Sequence, residues 1–272
     1  MPDTPRRRRL VACAVLVLLC LAGTAGGCGR SSGPRTLTVL AASSLTEVLG
    51  ELVTAYTQTH RDVRLETVFG GSQEMAARLE DRDTGDVLIT ADETTMDQAA
   101  ADLVGPRRIV AHNSMTIAVA PGNPRRIRGL SSLTRRGLRI AIAAESVPAG
   151  RYARQMLARA NLTVRWSSEE VNVRAVLDQV RTGEADAGLV YITDLRSAGI
   201  ATSSVPIPAE QNVTAAYPAS AVKDSAHPRD AADFVDWLTT PTARALFHKH
   251  GFALPKASQS GQPSQEQQAS QG

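Results

Sequence analysis

Serine side chains stand at two points where a predicted strand passes into a predicted helix. TLTVLAA (36–42) has the apolar run of a buried strand, and Ser44 follows it at the start of a helix. Glu47, three residues later, completes the spacing of a capping box. Ser72 follows a pair of glycines at the start of a second helix. Because a helix start leaves backbone N–H groups unpaired, a hydroxyl at such a point helps to make a site suited to an anion.

Two further helix starts and one tyrosine extend this set. VPAG (147–150) opens a third helix, where glycine lets the backbone come close to a ligand, and NVR (172–174) opens a fourth. Tyr191, at the end of the strand AGLVY, adds a phenolic donor. If these points converge, they present hydroxyl and N–H groups together with the partial positive charge of helix dipoles. Taken singly, each has a simpler interpretation, because a serine at a helix start is usually only a cap.

Strands and helices alternate along the chain, and this alternation positions the helix starts. Periodicity and turn residues predict strands at 36–42, 63–69, 86–91, 115–120, 138–144 and 187–191. They predict helices at 44–60, 72–80, 92–103, 148–160, 171–183, 228–238 and 241–250. The alternation predicts an α/β fold with parallel sheets. We expect two lobes, formed by residues 36–112 with 217–256 and by residues 113–216, with the ligand in the cleft between them.

The first 27 residues are predicted to be a secretory signal peptide. Four arginines (6–9) precede an apolar run (10–22), which is too short to span a bilayer comfortably. Small residues then lead to Cys28. This junction resembles the lipobox of bacterial lipoproteins, which implies that Cys28 is lipidated after cleavage. Ala25 stands where that motif prefers leucine.

The rest of the chain is neutral and almost free of cysteine. Removal of residues 1–27 lowers Lys+Arg from 30 to 26 and Asp+Glu from 27 to 26, so a nucleic-acid partner is not expected. Cys28 is the one cysteine outside the signal peptide, so the domain has no disulfide and no thiol site. We expect residues 28–35 to be a flexible tether and residues 257–272, rich in Ser and Gln, to be disordered.

Six short motifs resemble the periplasmic molybdate-binding proteins of ABC importers, in that family's order and spacing. They are AASSLTE (41–47), FGGSQEMAARLE (69–80), VLITAD (87–92), VPAGRYA (147–153), VRAVLDQV (173–180) and AGLVY (187–191). The similarity extends from Thr36 to Pro255. It implies the type II fold of periplasmic binding proteins. In that fold each lobe is a mainly parallel sheet flanked by helices, and the ligand lies in the interlobe cleft.

The resemblance also implies a set of ligands, carried over motif by motif. The residues that would hold a tetrahedral oxyanion are Ser44, Ser72, Ala149, Val173 and Tyr191. The serines would give hydroxyl and backbone N–H groups, the alanine and the valine backbone N–H only, and the tyrosine its hydroxyl. Ser43 is an alternative to Ser44 in the first motif, and Ser44 is preferred because it also fits the capping box.

The function that follows from the resemblance is the capture of molybdate by an extracytoplasmic lipoprotein. Tungstate is close to molybdate in size and is expected to bind as well. An ABC permease and its ATPase are the implied partners, and the protein is expected to be a monomer without a cofactor, held by its lipid at the outer face of the cell membrane. A lining of donors alone rejects protonated anions such as hydrogen phosphate. Arg151 and Arg174, adjacent to the ligand positions, are expected to be solvated surface charges.

Three alternatives accompany this interpretation. Sulfate or another oxyanion could occupy the same cleft, since sulfate differs from molybdate mainly in size. Ser72 on a strand-to-helix turn is reminiscent of the nucleophile elbow of serine hydrolases, but Glu74 stands where that pattern needs a glycine. His248 and His250 are the one close histidine pair, and at this spacing they point to different sides of a helix. Neither an enzyme nor a cation site is therefore expected.

Overall fold

The fold rests on nine strands in the part of the chain that this computed structural model describes, which is residues 33–80, 85–199 and 202–255. The predicted signal peptide, Cys28, most of the tether and the predicted tail 257–272 lie outside the described residues. The strands are β1 (Arg35–Ala42), β2 (Val63–Gly70), β3 (Val87–Ile89), β4 (Leu103–Val119), β5 (Ile140–Ala143), β6 (Ser168–Glu170), β7 (Ala187–Tyr191), β8 (Ser203–Pro206) and β9 (Thr214–Val222).

Helices alternate with most of these strands. They are α1 (Thr46–Thr59), α2 (Ser72–Glu80), α3 (Glu93–Gln98), α4 (Pro148–Arg159), α5 (Val173–Arg181), α6 (Ile192–Ala198), α7 (Pro228–Trp237) and α8 (Pro241–Lys249). Short 3-10 turns cover Ser43–Leu45, Ala100–Asp102 and Leu130–Thr134. No helix among the described residues is long and apolar enough to cross a membrane.

The strands form two groups that share β4. In the first group β1 pairs in parallel with β2 and β3, and β9 pairs antiparallel with both β3 and β4. In the second group β5 pairs in parallel with β6 and β7, while β7 and β8 run antiparallel to β4. β4 pairs with β9 as far as Ser114 and with β7 and β8 from Met115 onward. The expected α/β architecture is confirmed, and the sheet is mixed because β4 and β9 oppose their neighbours.

The apolar runs of the sequence form the buried strands. The last four residues of β1 and all of β7 are buried, as expected for strands covered by helices on both faces. In α1 the buried side chains include Leu49, Leu52 and Tyr56, which recur at helical spacing. The Tyr56 ring packs edge-on against Phe234 of α7, with 4.9 Å between ring centroids. The buried face of α1 and the buried strands β1 and β7 therefore form part of the core that supports the helix starts.

Several predicted boundaries were wrong. The predicted strand 115–120 is only the second half of β4, whose first half contains Gly105-Pro106 and is mostly exposed. β9 was missed because Pro218 and several alanines and serines give it low strand propensity. β6, β8 and α6 were also missed. The predicted helix 92–103 is α3 followed by a 3-10 turn. The division into lobes at 112–113 and 216–217 stays a prediction.

Candidate functional site

One small cavity brings together the predicted ligand residues. β1, β2 and β7 all end at it, with Ala42, Gly70 and Tyr191 as their last residues. Its volume is about 10 Å³, about enough for a single water molecule. It is lined by Ala42, Ser43, Ser44, Gly70, Gly71, Ser72, Ala91, Val147, Pro148, Ala149, Asn172, Val173 and Tyr191. All five predicted ligands are in this set. Their role as ligands stays a prediction, as does the choice between Ser43 and Ser44.

The predicted capping box at Ser44 was wrong. Ser44 lies in the 3-10 turn before α1, and no side chain caps that turn or the helix. Its Oγ lies 2.9 Å from the hydroxyl of Tyr217. Glu47 lies in the first turn of α1, and its carboxylate pairs with Arg174. Because the chain makes one tight turn before α1 begins, the Ser44 hydroxyl is too early in the chain to cap α1 and lies at the cavity wall instead.

Ser72 is the first residue of α2, as predicted, and its hydroxyl has a defined direction. Ser72 Oγ accepts a hydrogen bond from the backbone N–H of Ala91, at 3.0 Å. The serine hydrogen is therefore not needed in that bond and is available to donate. Ala91 was not predicted as part of the site. Its position directly after the short buried run of β3 is the one sequence signal that could have indicated it.

Ala149 and Val173 lie in the first turns of α4 and α5. N–H groups at such positions have no acceptor within their own helix. At α5 the side chain of Asn172 accepts from the N–H of Ala175, at 3.0 Å, and so caps the third residue of the helix. This cap leaves the N–H of Val173 for another partner. Both residues are buried at the cavity and offer backbone donors only.

Tyr191 brings a neutral donor into the cavity wall. Its side chain is 1% exposed, and its phenolic oxygen makes no hydrogen bond to any residue that the structure describes. Burial raises the pKa of Tyr191 well above its ordinary value, with smaller contributions from neighbouring groups. The hydroxyl therefore keeps its proton and is a donor at neutral pH.

Arg151 and Arg174 are not the solvated surface charges that the sequence suggested. Their side chains are 25% and 24% exposed, and each is held by a carboxylate. Arg151 Nε donates to Asp92 at 2.9 Å, and the Asp92 side chain is itself 5% exposed. Arg174 pairs with Glu47, and its Nε lies 3.4 Å from Asp194. The two cations next to the cavity are thus compensated, which leaves neutral donors as the chemistry of its wall.

Asp194 has a perturbed pKa with a consequence for stability. Burial raises the pKa of its carboxyl to about 7, although Arg174 and the backbone N–H of Tyr191 oppose the rise. The ordinary value is 3.8, so the folded state binds this proton more tightly than the unfolded state. The contribution of Asp194 to stability is therefore largest below pH about 4 and is lost as the pH rises toward about 7, by at most about 1.4 kcal/mol per pH unit.

Asp194→Asn should remove this pH dependence. The amide oxygen can still accept from the N–H of Tyr191, a bond of 3.0 Å in the wild type, so α6 keeps its cap. We expect the free energy of unfolding of the wild type, relative to the variant, to fall as the pH rises from about 4 to about 7. Urea unfolding across that range measures the difference. Parallel profiles for the two proteins would show that Asp194 does not titrate there.

The alternatives of a metal site or a hydrolase gain no support. The described residues contain no group of three or more His, Cys, Asp or Glu side chains that could hold a metal ion. No histidine is among the residues that line the cavity. His250 lies beside Glu51 on the surface of α1, with 3.1 Å between Nε2 and the carboxylate. The hydroxyl of Ser72 therefore has no histidine beside it among the residues that line the cavity.

Comparison with known proteins identifies one matching family and several similar chains. The family described as "Bacterial extracellular solute-binding protein" matches residues 37–253. The molybdate-binding protein ModA of Mycobacterium tuberculosis H37Rv is 34% identical over 229 residues, covering 84% of this chain and 88% of that protein. The periplasmic molybdate-binding protein of Azotobacter vinelandii has a TM-score of 0.71 at 23% identity, over 81% of this chain and all of that one. The sulfate-binding protein SubI of M. tuberculosis has a TM-score of 0.74 at 18% identity, over 82% and 88%.

Proposed function

We propose, from the premise that this chain belongs to the family of bacterial extracellular solute-binding proteins, that its ligand is molybdate. A solute-binding protein is not an enzyme, and the expectation of a non-catalytic protein without a cofactor is confirmed by this membership. Tungstate, nearly the same size, is proposed as a second ligand. The protein would deliver either oxyanion to an ABC permease.

The observation that carries this proposal is the convergence of the five residues on one cavity. Ser44, Ser72, Ala149, Val173 and Tyr191 come from five separate segments, and all of them line it. The relative that is 34% identical is named for molybdate binding. The hydroxyls of the two serines and of the tyrosine would surround a tetrahedral dianion, together with the backbone N–H groups of Ser44, Ser72, Ala149 and Val173. Each charge-assisted hydrogen bond contributes about 1.5–3 kcal/mol.

The small size of the cavity implies that its walls move when the ligand binds. The cavity has room for about one water molecule, whereas a tetrahedral oxyanion has five heavy atoms, so binding would require its walls to move apart. Ser44 and Ser72 belong to the first proposed lobe, and the other three ligands belong to the second. An anion that bridges both lobes would favour the closed arrangement, which the permease would then recognise.

Sulfate is the second candidate ligand, and one observation favours it. The fold is similar to that of the sulfate-binding protein SubI, with a TM-score of 0.74. At 18% identity this similarity concerns the fold and not the ligand. Sulfate has the same charge and shape as molybdate, so a cage of neutral donors distinguishes the two by size.

The cellular setting completes the proposal. Membership in this family makes the protein extracytoplasmic. We propose that Cys28 is lipidated and holds a monomer at the outer face of the cell membrane, where a permease and its ATPase receive the ligand. Mass spectrometry of the membrane-bound protein would show a diacylated or triacylated Cys28.

Thermal melting with four anions tests the ligand. At about 100 times the dissociation constant, molybdate should add about 2.7 kcal/mol of stability, which raises Tm by roughly 5–10 °C for a domain of this size. Tungstate should act similarly, while sulfate and phosphate at the same concentration should shift Tm much less. A chloride salt of equal ionic strength is the control. A shift with sulfate and none with molybdate would contradict the proposal.

A further inference from the structure

A hydrogen-bonded chain of buried side chains leads to the hydroxyl of Ser44. It starts at Asn113 in β4, whose Oδ1 accepts from the backbone N–H of Ser114 at 3.0 Å. Because a backbone N–H is always a donor, this bond identifies which end of the amide is the oxygen. The other end, Nδ2, donates to Thr193 Oγ1 at 2.8 Å and to the hydroxyl of Tyr217 at 3.3 Å. The oxygen of Tyr217 is therefore an acceptor toward Asn113.

The hydroxyl of Tyr217 in turn orients the hydroxyl of Ser44. The tyrosine lies in β9 and is fully buried, with its ring edge-on to Phe252 and Tyr191 at centroid distances of 5.4 and 6.0 Å. Its hydroxyl has one hydrogen, and Ser44 Oγ lies 2.9 Å away. Asn113 Nδ2 is a donor, so of these two partners only Ser44 Oγ can accept the tyrosine hydrogen. Burial also raises the pKa of Tyr217, so this proton is retained.

The hydroxyl of Ser44 can therefore act as a donor toward the cavity. Its oxygen accepts from Tyr217, and its own hydrogen is free to point into the cavity that it lines. We propose that Tyr217, oriented by Asn113, is a positioning residue that holds the Ser44 hydroxyl as a donor toward the bound oxyanion. This inference rests on the proposed function, because it assigns a partner to one of the proposed ligands.

Ser72 shows the same arrangement at the start of α2. Its oxygen accepts from the N–H of Ala91 at 3.0 Å, so its hydrogen is also free. The protein thus supplies a donor to the oxygen of each serine, by a backbone group in one case and by a tyrosine in the other. Each serine oxygen thus already accepts one hydrogen bond, and each serine hydrogen is left to donate toward the cavity.

The orientation of the Ser44 hydroxyl affects which anion the site prefers. A protonated oxyanion such as hydrogen phosphate needs an acceptor for its proton, and a serine hydroxyl that can rotate would provide one. With Tyr217 donating to it, one lone pair of the Ser44 oxygen is occupied and its hydrogen is oriented toward the anion, so a proton on the anion would meet that hydrogen. Tyr217 therefore favours unprotonated dianions such as molybdate although it does not touch them.

A double-mutant cycle with Tyr217→Phe and Ser44→Ala tests this inference. Phenylalanine keeps the ring packing and removes the hydroxyl. We expect calorimetric titration with molybdate to give an affinity about 3- to 10-fold weaker for Tyr217→Phe, and weaker still for Ser44→Ala. Because the tyrosine acts through the serine, the double variant should bind as Ser44→Ala does. Tyr56→Phe removes another buried hydroxyl, far from the cavity in α1, and should leave the affinity unchanged.

Competition between phosphate and bound molybdate gives a second measurement, which a change in packing alone would not affect. The ratio of phosphate affinity to molybdate affinity should rise in Tyr217→Phe. Additive effects of the two substitutions, or an unaltered molybdate affinity in either single variant, would overturn the inference and leave the proposed function standing. Failure of the wild type to bind molybdate would instead overturn the proposed function.

Discussion

Val173→Pro is expected to weaken molybdate binding severely while the protein remains folded. Val173 is the first residue of α5, where proline is tolerated because the N–H it lacks has no partner in the helix. Asn172 before it is extended, with φ −159° and ψ 171°, as the residue before a proline prefers. Loss of one charge-assisted hydrogen bond weakens binding by roughly 10- to 150-fold, and the proline ring would occupy the place of the hydrogen. Calorimetric titration measures the loss.

Val173→Ala is the matched control. It keeps the backbone N–H and removes methyl groups from a side chain that is 3% exposed, at a cost of about 2 kcal/mol in stability. Its affinity for molybdate should stay close to that of the wild type. The two variants therefore separate the donor from the packing. Equal affinities for the proline and alanine variants would show that the N–H of Val173 does not bind the anion.

Gly150→Ala is expected to be the most destabilising single substitution near the site. Gly150 lies in the first turn of α4, where the helix approaches the end of β5. An added Cβ would lie 2.0 Å from the carbonyl oxygen of Ala144 and 2.3 Å from that of Ala143. Both are backbone atoms, so helix and strand must move apart, at roughly 3–5 kcal/mol. Thermal melting should show Tm lowered by roughly 6–20 °C.

Gly50→Ala is the control for this substitution. Gly50 is exposed within α1, and an added Cβ meets no heavy atom within 4 Å. Alanine is the better helix former, so this variant should gain about 0.5–1 kcal/mol in stability. The same chemical change thus has opposite expected signs at the two glycines. A Gly150→Ala protein that melts with the wild type would mean that α4 and β5 are not in the close contact described.

The elements predicted well were those whose pattern has one physical interpretation. AGLVY and SQEMAARLE gave β7 and α2 with their observed bounds. The first half of β4 and all of β9 were missed, because strands that contain proline and small residues form only through pairing with each other. Their register joins residues about 100 positions apart, such as Ala111 and Tyr217. Local propensity contains no information about such a pairing.

Part of the site could also be predicted, because some helix starts have a local sequence signal. Ser72 and Pro148 are the first residues of α2 and α4, and both lie at the cavity. The same local signal at Pro228 and Pro241 marks the starts of α7 and α8, which do not line it. Ala149 and Val173 offer only backbone groups, so their side chains identify nothing and the resemblance to a family had to supply them. The direction of the Ser44 hydroxyl depends on Tyr217 and Asn113, which are brought to it by β9 and β4. No motif in the sequence marks that network.

The long strand β4 has a consequence for how the two groups of strands can move. It passes from one group to the other within a single run of backbone, exchanging β9 for β7 and β8 at Ser114–Met115. A flexible loop at this point would let the groups swing at little cost. A continuous strand resists such a motion, because separation of the two groups of strands would have to bend it. A separation of the two groups would therefore change backbone dihedrals within β4 near Ser114–Met115 rather than in a loop.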